Sequence, residues 1–243
     1  MELEKENSIT GGFMKFLESN CFKSPCFVGA FLFAGMFLYI AISYLARAIF
    51  GVFDIEEVGA TVILTYLFYG FGGGILFCYA KDFMEEPSKK KSFIAIAFLY
   101  IVMIFRDMGA QGWFTTHDTV ITKIRFFTSA TNPMYEKVIA AAVMLFILAV
   151  FLYVFIKHAK QFFQGLMHKE PISWTTGVFF VWMVITQIFD RFPAEYQKAT
   201  GVALIEPVRF IMKIVEEGGE SLLPLMIAVA ILQYHYIYYK KSN

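Results

Sequence analysis

The side chains best equipped for chemistry lie between the apolar runs of this chain. His117 and Asp118 are neighbours in one polar connection, and Glu216, Glu217 and Glu220 crowd another. An imidazole and several carboxylates brought together could hold a divalent cation and activate water, which is the equipment of a lipid-modifying hydrolase. The spacing matches no H-E-x-x-H or comparable ligand motif. The same residues also read as a solvated loop histidine beside a helix-capping aspartate.

A second group stands out by its cost. Arg106 and Asp107 follow an apolar run, Gln187, Asp190 and Arg191 close another, and Arg47 sits near the end of a third. Ionisable groups inside a bilayer face the bundle interior or a wet cavity and find partners there. Arg47, Arg106, Asp107, Gln187, Asp190 and Arg191 are therefore expected to build a polar vestibule open to the outer side. Arg106 would pair with Asp190, and Asp107 with Arg191 or Arg47. A static ion-pair lock between spans, or charges emerging among headgroups, would use the same residues. Thr176, Gln187 and Asp190 fall on one helical face.

Other chemistries lack their residues. Cys21, Cys26 and Cys78 form no C-x-x-C pair of the kind a quinone-linked disulfide enzyme needs, and free thiols are expected. His158, His168 and His235 do not form the facing pairs of a membrane haem site. Gly70, Gly72, Gly73 and Gly74 lack the Lys-Ser/Thr of a phosphate loop, so Gly70 and Gly74 are expected to serve close helix packing. No cofactor and no metal site are expected.

The elements that must hold these residues are set by composition. Apolar residues make up 58 % of the chain and Phe occurs 29 times, more than a soluble core of 243 residues can hide. The net charge of +1 supplies no field for nucleic acid. Runs long enough to cross the hydrocarbon layer fall at 27–50, 58–80, 138–156, 172–191 and 222–239. A shorter one reaches span length only at 92–111, with Arg106 and Asp107 inside it. The fold class is all-α, a polytopic membrane helix bundle of about six transmembrane helices. The polar start of the chain lacks the basic-then-apolar pattern of a signal peptide, so the first span is expected to remain uncleaved.

Basic residues orient the spans. The tails 1–26 and 240–243 with the linkers 81–91 and 157–171 carry twelve Lys/Arg in 56 residues, against eight in the 70 residues of the opposite connections. That bias puts both termini in the cytoplasm. The two long outer connections are expected to form amphipathic elbows. In the second, Val208, Ile211, Met212 and Val215 share an apolar face over 207–217, and Gly218-Gly219 interrupts the helix before the last span. An 84-residue offset pairs Arg125 with Arg209 and Glu136 with Glu220, which reads either as a helix–elbow–helix repeat or as chance matching in an apolar-rich chain.

The segment from Phe105-Arg106-Asp107 to Trp113-Phe114-Thr115, with Glu216-Glu217 and Glu220, resembles bacterial polytopic inner-membrane families of uncharacterised function. The resemblance implies a bacterial cytoplasmic membrane and carries no activity with it. Three functions stay open: a non-enzymatic sensor, scaffold or assembly subunit, a lipid-modifying metal-dependent enzyme, and a transporter or channel. The expected partners are membrane lipids, with a protein partner or a second copy of the chain, and no nucleic acid.

Overall fold

The computed structural model describes residues 12, 15–50, 60–84, 87–113, 115–116, 121 and 124–239. Helix accounts for 86 % of it, and the described residues contain no strand. In chain order the helices are α1 (Cys26–Phe50), α2 (Ala60–Cys78), α3 (Ala80–Met84), α4 (Pro87–Asp107), α5 (Ile124–Thr128), α6 (Met134–Met167), α7 (Pro171–Thr200) and α8 (Glu206–Tyr234). A 3₁₀ turn at Ala110–Gly112 follows α4, and a π turn at His235–Tyr239 closes α8. Boundaries follow backbone chemistry. Pro87, Pro171 and Pro207 lie in first turns, where a missing N–H costs nothing. Gly109 and Gly201, at φ 71° and 72°, take the left-handed conformation that ends α4 and α7.

Among the described residues, three helices are long and apolar enough to cross a membrane: Met134–Met167, Pro171–Thr200 and Glu206–Tyr238. Cys26–Ile42 and Ile63–Cys78 are shorter apolar stretches.

Three expectations need correction. Helix α4 stops at Asp107 instead of running to Gln111, because Gly109 turns the chain, with its N–H on the Arg106 carbonyl at 3.0 Å. The second elbow is not a separate element, since α8 runs unbroken through Gly218-Gly219 and Pro224. The 84-residue offset does not hold through the elbows: Arg209 and Glu220 share α8, whereas Arg125 and Glu136 are divided between α5 and α6 by a turn at 129–133.

The chain forms two compact units, residues 1–79 with 161–243, and residues 80–160. The first is built around α8, which packs along α7, α2 and α1. From Gly218 onward α8 is buried on nearly every side, the pattern of a central helix. Its neighbours present faces with helical periodicity: Val28, Leu32, Met36 and Tyr39 from α1, and Thr175, Trp182 and Thr186 from α7. At the far end of α8, Leu17 and Phe22 pack against Val229, Leu232 and Tyr236. The polar side chain of Gln233, fully buried, accepts the Thr175 hydroxyl at 2.7 Å and donates to the Phe22 carbonyl at 3.2 Å. This part of the expected tail is therefore clamped to the core.

Close approach in this unit depends on glycines other than those expected. A Cβ on Gly218 would stand 2.5 Å from the Tyr39 ring, and one on Gly219 would stand 2.5 Å from Thr186 and 2.9 Å from the Trp182 indole nitrogen. Gly70 and Gly74 have open space around them, so they do not provide the packing contact.

In the second unit, α4 and α6 run antiparallel. Ser92 meets His158 at 2.9 Å, and Phe98 meets Phe146 edge-on at 5.5 Å. The connection between them is gathered by the buried carboxylate of Glu136, which accepts the backbone N–H of Thr116 at 3.3 Å, its hydroxyl, and the Tyr135 hydroxyl at 3.3 Å. Asn132 holds the Phe126 carbonyl at 2.9 Å, and Lys137 holds that of Ser129 at 2.6 Å. The apolar stretch of α6 is only 6 % buried, against 61 % for α8, so α6 offers its apolar surface outward.

Gly219→Ala should lower stability by about 1–3 kcal/mol through overpacking. Gly70→Ala, on an open helical surface, should be neutral or raise it by roughly 0.5–1 kcal/mol. Thermal unfolding in detergent reads both; equal effects would mean that the α7–α8 contact is looser than described.

Candidate functional site

The polar side chains of the α8 unit collect along one seam between α8 and its neighbours. At its start, Lys213 Nζ lies 3.4 Å from Glu216 Oε1 and 3.0 Å from Glu217 Oε1. The i+3 and i+4 spacing brings both carboxylates over the same lysine. Asp190 on α7 adds its negative charge at Glu216. Acidic groups thus outnumber the one ammonium they surround, and the Glu216 side chain is largely withdrawn from solvent, at 13 % exposure.

One turn further on, Gln187 donates its amide to Glu220 at 3.1 Å. Beside it the Thr65 and Ser221 hydroxyls are 2.5 Å apart. Ser221 Oγ also contacts the Glu217 carbonyl at 2.8 Å, and a carbonyl can only accept. Ser221 spends its single hydrogen there, so Thr65 is the donor in the other bond. The seam thereby ties α2 and α7 to α8. Trp182 Nε1, buried above Gly219, has no hydrogen-bond partner among the described residues.

The seam lies at mid-helix. Glu220 stands halfway along α8 and Gln187 just past halfway along α7. Both were expected at the outer ends of spans, because the apolar runs end near them. The helices, however, continue through these segments, to Thr200 in α7 and back to Glu206 in α8.

The structure merges parts of the two expected groups. Glu216, Glu217 and Glu220 stand together with Gln187, while Asp190 is exposed one turn along α7, followed by Arg191. Arg106 and Asp107 belong to the other unit, where Arg106 Nε lies 3.0 Å from Asp107 Oδ1. His117 and Asp118 fall outside the described residues, as does the side chain of Arg47, whose backbone belongs to α1. Among the described residues no three His, Cys, Asp or Glu side chains converge to hold a metal ion.

Thr65, Ser221, Thr186 and Trp182 were not singled out in the sequence. The available signal was a hydroxyl inside an apolar run: such a group must find an acceptor once water is excluded. The buried face of α7 also lies one residue from the expected one, with Thr175 and Thr186 buried in place of Thr176 and Gln187.

No protein-family model matches the chain, and neither a curated protein nor a solved structure matches it.

Replacing Lys213 by Met removes the cation that Glu216 and Glu217 share. Stability in detergent should fall by on the order of 1–3 kcal/mol, as for other hydrogen bonds to charged groups. Lys213→Arg should retain most of it. No loss in Lys213→Met would show that the two carboxylates are hydrated and need no partner.

Proposed function

We propose that this chain is a non-enzymatic, multi-pass membrane component, a sensor, scaffold or assembly subunit that binds a lipid, an envelope ligand or a protein partner. One observation carries this reading: Glu216, Glu217 and Glu220, the described acids among the candidates for chemistry, are already engaged within the fold. Glu216 and Glu217 share Lys213, Glu220 takes the Gln187 amide, and Glu136 gathers Thr116 and Tyr135. A catalytic carboxylate needs a face open to substrate or water. Of these, the Glu220–Gln187 pair crosses from α8 to α7 and acts as a lock between helices, while Glu216 and Glu217 are held within α8.

In this proposal the chain crosses a bacterial cytoplasmic membrane about six times with both termini inside. The three long apolar helices support the membrane location. The lysine block at Lys89–Lys91 and the basic segment after Lys157 support the orientation. The outer connections would then carry the surface on which the partner docks.

A second reading, a transporter, draws on the mid-helix place of Gln187 and Glu220, since transporter sites lie near the bilayer midplane. The two differ in whether water enters the seam. A cysteine introduced at Ser221, the smallest change available there, should resist membrane-impermeant maleimide in sealed cells lacking the native cysteines. Cysteines at Thr116 and Lys198 should react from outside, and cysteines at Lys90 and Lys160 should not. Labelling at 221 would replace the scaffold by the transporter, and labelling at 90 would reverse the orientation.

A further inference from the structure

The α4–α6 pair encloses a feature that the polar seam leaves unexplained. Between the two helices runs an open groove of about 430 Å³, lined by Ile94, Ala95 and Phe98 from α4 and by Phe146, Ala149 and Val150 from α6. It exists because small side chains, Ala95 and Ala149, line the two helices where larger ones would have closed the gap. One end carries Lys91 and Tyr153. Lys157 reaches over that same tyrosine, its Nζ 3.4 Å from the hydroxyl and 5.6 Å from the ring centre. Lys89, Lys90, Lys91 and Lys157 are all exposed.

We propose that this groove is a binding site for an anionic phospholipid, with one acyl chain in the apolar channel and the phosphate against Lys91 and Lys157. The argument is one of matching polarity along a line. Water gains nothing in a channel whose walls offer it no hydrogen bonds. A molecule with an apolar tail and one anionic head fits both the channel and its basic mouth, and basic pockets between membrane helices select such headgroups. The basic end is also the one that the lysine bias assigns to the cytoplasmic side, where anionic lipids face the protein.

The inference rests on the membrane location proposed above, and the two can fail separately. Release of the chain by alkaline carbonate extraction would remove the membrane location itself. If the chain stays inserted, the purified full-length protein is examined by native mass spectrometry with phosphatidylglycerol and with phosphatidylcholine. Phosphatidylglycerol should be retained preferentially. Lys91→Gln and Lys157→Gln should each weaken that retention by roughly fivefold, the effect of one lysine near a lipid headgroup. Lys198→Gln, an exposed lysine elsewhere, should not. Ala149→Phe should fill the channel and expel the lipid while leaving both lysines in place, its folding checked by thermal unfolding. Equal retention of the two lipids, or retention unchanged in both lysine variants, would overturn the site. Displacement of the lipid by inorganic phosphate alone would do the same, because the channel would then contribute nothing.

Discussion

The approach of α7 and α1 to α8 at Gly218-Gly219 is the constraint on which the first unit depends. With no side chains at these positions, the Tyr39 ring can lie against one glycine and Trp182 with Thr186 against the other. Everything nearby follows from that closeness. Gln187 stands one residue beyond Thr186 and Glu220 one residue beyond Gly219, so the contact that brings the backbones together also brings their amide and carboxylate to 3.1 Å. Ser221 follows and meets Thr65 of α2. Burial and polarity therefore act together here, since a well-packed but unpaired seam would leave a carboxylate without water or partner.

The membrane reading and this packing explain each other. Helices in lipid gain little from the hydrophobic effect between them, so they associate through small residues and interhelical hydrogen bonds. The α8 unit shows both devices, glycines at the crossing and Thr–Ser, Thr–Gln and Gln–Glu pairs along it. Among the described residues, the α4–α6 pair shows a Ser92–His158 bond and an edge contact between Phe98 and Phe146 beside an open groove. The same chain thus contains one tightly sealed interface and one that leaves space for a ligand.

Much of the architecture was legible in residue types. Long apolar runs without alternation require helices, and Pro87, Pro171, Pro207 and Gly201 mark boundaries that local chemistry alone determines. Gly218-Gly219 was misread because its local propensity and its tertiary role point in opposite directions. A glycine costs a helix about 0.5–1 kcal/mol, and only the ring and indole that pack on it repay that cost. The expected contact at Gly70 and Gly74 failed for a related reason: spacing says that two small residues share a face, and says nothing about which face meets a neighbour. The polar seam was half visible. Gln187 and the three glutamates are conspicuous, but their union depends on contacts as distant in sequence as Thr65 and Ser221, and no short-range pattern encodes those.

The central claim is that the mid-helix polar seam is a lock holding α7 to α8, and a double-mutant cycle on Gln187 and Glu220 tests it most directly. Gln187→Leu and Glu220→Leu are made singly and together, and unfolding free energy is measured in one detergent. Each single replacement takes from the other partner the hydrogen bond it makes across the half-buried seam, while the double replacement removes both groups. The account predicts that the double variant is more stable than the sum of the single losses implies, with a coupling of about 0.5–3 kcal/mol. Strict additivity would contradict it, showing that the two groups do not act on each other and that the seam is held by something else.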